Sequence, residues 1–111
     1  MNSQYNKLIN LLNLLADNTR LDILNLLKEK ERTSAEIQEI LNKSQSTISQ
    51  QLKMLRENQL IDYKKVNNIN YYFIKYDDIF KLLAILQAFI DDIEKNELWE
   101  RSKRDLEDLL L

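Results

Sequence analysis

Ser44-Gln45-Ser46-Thr47-Ile48-Ser49-Gln50-Gln51-Leu52-Lys53-Met54-Leu55-Arg56-Glu57 is the stretch from which the rest of the chain can be read. Ser44 has the short hydroxyl side chain that suits a helix N-cap. Ile48, Leu52 and Leu55 then recur at i, i+4 and i+7, the spacing of one buried helix face. At 100° per residue Ser46, Gln50 and Lys53 point nearly opposite, with Thr47 and Ser49 on the flanks. That outer face consists of groups that hydrogen-bond rather than pack.

Upstream, Thr33 and Glu36 stand at capping-box spacing and open a short helix with Ile37, Ile40 and Leu41 on one side. Asn42-Lys43 leaves room only for a tight turn. A short helix, a tight turn and a longer helix with a polar outer face make a helix-turn-helix. A major groove about 12 Å wide admits one such helix, whose outward side chains meet base edges. In this reading Gln45 and Gln50 pair with adenine, and Ser46 and Ser49 allow close approach. Lys43, Lys53, Arg56, Lys64 and Lys65 neutralise phosphates. The candidate DNA-binding set also includes Ser44, Thr47, Asn67 and Asn68.

Downstream, Leu60 to Val66 and Ile69 to Ile74 are rich in β-branched and aromatic residues. Asn67-Asn68 between them tolerates the left-handed backbone of a two-residue hairpin turn, so a basic hairpin is predicted. Tyr63, Tyr71 and Tyr72 read as strand packing. Toward the N-terminus, residues 3–16 form an amphipathic helix with Ser3 as its N-cap. Asp17 caps a second helix over 18–29, and the polar run Lys28 to Arg32 closes it. From Asp77, Ile79, Leu83, Leu86, Ile90 and Ile93 repeat at 4, 3, 4, 3, which is coiled-coil spacing. Leu98 and Trp99 break that pattern, leaving open whether 97–111 continue the helix. Tyr5, Leu8, Leu12 and Leu15 add a second apolar stripe, more than 111 residues can readily cover by themselves.

The chain contains no Cys, His, Gly or Pro. Thiolate and imidazole chemistry, Cys/His metal sites and Ser-His or Cys-His catalysis are excluded, as are phosphate-cradling glycine loops in their usual form. No nucleophile–base pair can be assembled, so no enzyme is expected. No catalytic residue, metal or cofactor is assigned, and the acidic trio Asp91, Asp92 and Glu94 reads as a solvated flank. The net charge of −2 is unevenly spread: residues 1–76 carry +3 and residues 77–111 carry −5. Such segregation suits a basic face toward a polyanion and an acidic end held away from it. With no apolar run near 20 residues and no secretory pattern, a cytoplasmic location without membrane association is expected.

Leu15-Ala16-Asp17-Asn18-Thr19-Arg20-Leu21-Asp22-Ile23-Leu24 resembles the opening signature of ArsR-type winged-helix repressors. Ser44 to Glu57 is similar to that family's recognition-helix motif, and Lys64 to Tyr72 looks like its wing. The resemblance implies a DNA-binding dimer whose first and last helices pack across the two-fold axis. Departures are informative: Gln50-Gln51 stand where the family commonly has His, and Asn67-Asn68 where it usually has Gly-Arg. The family's helix-ending Gly corresponds to Gln59, which leaves Asn58 as the expected left-handed cap. The Cys or His ligands of the family's metal sensors are missing, so the effector is left unknown.

The expected fold is mainly α with a small β-hairpin: one winged helix-turn-helix domain over 1–111. Within it, 33–57 form the helix-turn-helix, 60–75 the wing, and 1–16 and 77–111 the dimerisation helices. The expected interface comprises Tyr5, Leu8, Leu12, Leu15, Ile79, Leu83, Leu86, Ile90 and Ile93. The expected function is sequence-specific binding of double-stranded DNA by a homodimer at an inverted-repeat operator, as a repressor. A competing reading is a winged-helix adaptor that binds proteins through its acidic last helix.

Overall fold

The helices that begin at residues 18, 34 and 45 are each capped by a side chain already suited to that task, as the computed structural model of residues 3–110 shows. The chain forms two units that part between Asp77 and Asp78. The first contains α1 (Ser3–Leu15), α2 (Asn18–Glu29), β1 (Arg32–Thr33), α3 (Ser34–Leu41), α4 (Gln45–Glu57), β2 (Ile61–Val66) and β3 (Ile69–Ile74). The second is a single helix, α5 (Asp78–Leu110).

Asp17 accepts the Arg20 backbone N–H at 3.0 Å and starts α2. Thr33 and Glu36 form a full capping box at α3. Ser44 Oγ accepts the Thr47 N–H at 3.2 Å and starts α4. Each bond satisfies an N–H that the helix itself leaves unpaired. Ser3, expected as the cap of α1, is the first described residue and lies within the helix.

The C-terminal ends of α3 and α4 share a second device. Asn42 is left-handed at φ 52°, and the N–H groups of Asn42 and Lys43 reach back to the carbonyls of Glu39 and Gln38. At α4, Gln59 and Leu60 donate to Arg56 and Leu55. Both are Schellman motifs. The left-handed residue at α4 is Gln59, at φ 67°, while Asn58 stays at φ −95°. The Asn58 expectation is thus corrected: position along the motif, not residue preference, selects the strained residue. Relieving that strain should help. Gln59→Gly is expected to raise unfolding stability by about 0.5–1 kcal/mol, and Asn58→Gly to lower it, in paired thermal melts.

The core of this unit draws on every helix. Leu14 and Leu15 of α1, Ile23, Leu24 and Leu27 of α2, Ile37 of α3, and Ile48, Leu52 and Leu55 of α4 are buried, with Leu60 and Ile61 below the hairpin. β2 and β3 pair antiparallel across a two-residue turn in which Asn67 and Asn68 both have positive φ, as predicted. A third strand was not anticipated. Arg32 and Thr33 pair with Tyr72 and Tyr71, giving the sheet order β1-β3-β2. Arg32, at the end of the polar run expected to close α2, is 9% exposed; its Nε donates to the Leu26 carbonyl and its Nη2 meets Glu29 at 2.7 Å. Its guanidinium thus closes the end of α2. Four helices, the last two of them the helix-turn-helix, and a small antiparallel sheet with a hairpin wing make this a winged helix-turn-helix fold.

The second unit answers the question left open at residue 97, since α5 continues unbroken to Leu110. Over its first half the apolar stripe runs through Leu83, Leu86, Ile90 and Ile93. At 100° per residue Trp99, Leu106 and Leu110 fall on the opposite side of the helix. The pattern break at Leu98-Trp99 is thus a change of face within one continuous helix.

Candidate nucleic-acid interface

α4 buries one face completely: Ile48 and Leu55 are 0% exposed and Leu52 is 2%. This fixes the helix about its own axis and dictates what its other face presents. Ser46, Ser49, Gln50 and Lys53 are all exposed along that face, and Lys43, Ser44 and Gln45 are exposed at its entrance. Thr47 is half-buried, and its Oγ1 receives the Ser44 hydroxyl at 2.9 Å. Ser44 and Thr47, predicted as DNA contacts, therefore also bond each other to hold the helix start.

Alongside α4 lies an open cleft of about 550 Å³, lined by Ser49, Lys53, Arg56, Glu57, Asp62 and Tyr72 among others. It brings the outer face of α4 and the base of the hairpin onto one surface. The two carboxylates there are neutralised locally. Glu57 lies 3.9 Å from Lys53, and Asp62 accepts the Arg56 Nε–H at 3.3 Å. The Tyr63 backbone N–H, at 2.8 Å, holds the Asp62 carboxyl below its ordinary range, and Arg56 adds to this, so it stays charged at neutral pH.

Arg56 is exposed and has partners within the chain. Its guanidinium lies 4.3 Å above the Tyr63 ring while bonded to Asp62, and Tyr63 packs on Tyr72 with ring centroids 5.5 Å apart. Arg56 thereby also brackets the last turn of α4 to the hairpin. The tyrosines are structural, as anticipated. On the wing, Lys65, Asn67 and Asn68 are exposed, and Lys64 pairs with Glu31 at 2.9 Å.

Among the expected interface residues, Tyr5, Leu8 and Leu12 on α1 are about half exposed. Leu86, Ile90 and Ile93 on α5 are also exposed, and Leu83 is half-buried. Leu15 and Ile79 are each only 6% exposed within one chain. The sequence reading missed Arg20. It appears in the sequence only within the Leu15 to Leu24 signature, and it bonds the carbonyls of Asn13 and Leu14 and the side chain of Gln51. The thiolate and imidazole ligands of the family's metal sensors have no counterpart in a chain without Cys or His. Among the described residues no cluster of three or more acidic side chains could hold a metal either.

Comparison with known proteins agrees with this geometry. Residues 17–63, from the cap of α2 to the first half of the hairpin, match the profile of the bacterial regulatory proteins of the arsR family. The chain is similar to the arsenical resistance operon repressor of Staphylococcus aureus, at 34% identity over 87 residues, spanning 76% of this chain and 84% of that protein. Among solved structures it is similar to Mycobacterium tuberculosis Rv0081, with a TM-score of 0.79 at 26% identity, covering 88% of this chain and 99% of that one. It also resembles the homodimeric winged helix-turn-helix DNA-binding domain Mb0332 of Mycobacterium bovis, a possible ArsR-family regulator. There the TM-score is 0.72 at 26% identity, covering 85% and 87% of the two chains. With its helix-turn-helix inside the matched segment and its fold shared along most of its length, this chain belongs to the ArsR family of bacterial transcriptional regulators.

Proposed function

We propose that the protein binds double-stranded DNA as a homodimer at an inverted-repeat operator and acts there as a repressor. The observation that carries this reading is the outer face of α4. Ser46, Ser49, Gln50 and Lys53 stand exposed together, with Gln45 exposed at the entrance, while the opposite face is buried and cannot rotate away. Gln50 has the amide needed for a bidentate bond to adenine, and Ser46 and Ser49 are short enough to let the helix approach. Lys43 and Lys53 flank this face, and Lys65 with the Asn67-Asn68 tip extends it to the wing. Lys64 joins them once its pair with Glu31 opens, and Ser44 and Thr47 hold the helix start toward the backbone. The exposed stripes of α1 and α5 supply apolar surface for a second copy. Repression is supported by the name of the S. aureus relative, and the dimer by that of the M. bovis domain.

Base reading and backbone binding separate experimentally. Gln50→Ala is expected to lose about 1–3 kcal/mol of discrimination at one position of each half-site and to leave mixed-sequence binding intact. Lys64→Ala should weaken all duplexes alike, by a smaller factor because Glu31 already occupies it. A gel-shift titration in which both variants matched the wild type would remove α4 and the wing from the DNA surface.

A further inference from the structure

Arg20, in the first turn of α2, holds parts of two other helices with one side chain. Its Nε donates to the Leu14 carbonyl and its Nη2 to the Asn13 carbonyl at 3.1 Å, both in the last turn of α1. Carbonyls there lie beyond the reach of the helix's own N–H groups and at the negative end of its dipole, where a cation is stabilised. On the other side Nη1 donates to Gln51 Oε1 at 2.8 Å and lies 3.7 Å from Met54 Sδ, both on α4. Arg20 and Gln51 are half-buried, which keeps water from competing freely for these bonds. A guanidinium is a planar fork, so its bonds on one side fix the direction of those on the other.

We infer that Arg20 and Gln51 form a positioning pair that sets the angle between α1 and the recognition helix, and through it the half-site spacing that the dimer accepts. This rests on the proposed DNA-binding dimer, in which α1 presents Tyr5, Leu8 and Leu12 to the partner. Gln51 itself turns away from DNA, one residue from Gln50. The pair thus links the surface that meets the second subunit to the surface that meets bases. Loss of the bond frees α4 to tilt without removing any side chain that touches DNA.

The test uses the full chain and an operator selected from random duplexes with wild-type protein. Fluorescence anisotropy is read on that operator, on versions with half-sites one base pair closer or farther apart, and on mixed-sequence duplex. Wild type and Gln51→Glu, which keeps the acceptor, are expected to prefer the selected spacing by about tenfold. Gln51→Leu and Arg20→Lys should flatten that preference to within about threefold while mixed-sequence affinity is held. Wild-type spacing preference in Gln51→Leu overturns the inference, and since this variant leaves both α1 carbonyl bonds in place it decides the matter even if Arg20→Lys fails to fold. Failure of the wild type to bind any duplex overturns the proposed function and this inference together. Firm binding with a spacing preference untouched by these substitutions sinks the inference alone.

Discussion

Leu12→Glu is expected to convert the dimer into a monomer and to weaken operator binding between about a hundred- and ten-thousandfold. Two modules held together meet their second half-site at high effective concentration, and a monomer loses that advantage without losing a single DNA contact. Leu12 suits the experiment because it is 47% exposed in the single chain, beside Tyr5 and Leu8 on α1. A carboxylate there costs the isolated subunit little. At a two-fold contact it places two like charges in apolar surroundings, where neither is compensated. Sedimentation should show the monomer, anisotropy the lost affinity, and far-UV dichroism an unchanged helix content. Leu15, one turn further on but buried, would confuse the result by disturbing the core. A Leu12→Glu protein that stayed dimeric would move the interface away from α1.

Salt should act almost as strongly. Raising monovalent salt from about 50 to 200 mM is expected to reduce operator affinity by roughly a hundred- to ten-thousandfold, with a log–log slope between about −4 and −7. The range follows from which lysines reach phosphate. Lys43 and Lys65 have no ion pair among the described residues, whereas Lys53 and Lys64 must first leave Glu57 and Glu31. Two free lysines per subunit give the shallow limit, and all four the steep one. Arg56 is left out because Asp62 and Tyr63 already hold it. Retention independent of salt would contradict phosphate binding and favour the adaptor reading, in which the acidic α5 is the working surface.

What could be read directly from the residues was local. The α4 helix announced itself because its cap, its i, i+4, i+7 stripe and its polar face all lie within fourteen consecutive residues. The Asn67-Asn68 turn was legible for the same reason, since few residues adopt positive φ in a glycine-free chain. The strand at Arg32-Thr33 was hidden because two polar residues carry no alternation, and they become a strand only by pairing with Tyr71 and Tyr72 some forty residues later. The bracing roles of Arg20 and Arg56 were not legible. Their partners are largely backbone carbonyls of other elements or side chains brought near by the fold, and these leave no trace in spacing. Of the candidate site, the amide and hydroxyl face of α4 was visible in the sequence. The guanidinium braces that aim it were not.

The closed ends of α4 also bear on how quickly a site is found. Ser44 ties down the first turn and the Gln59 motif the last, so the reading element is already folded before any duplex arrives. Readers that order themselves on contact spend part of their interaction energy on that ordering. Here, encounter requires only orientation and the shedding of counterions, so the speed of capture should follow electrostatic attraction rather than a folding step.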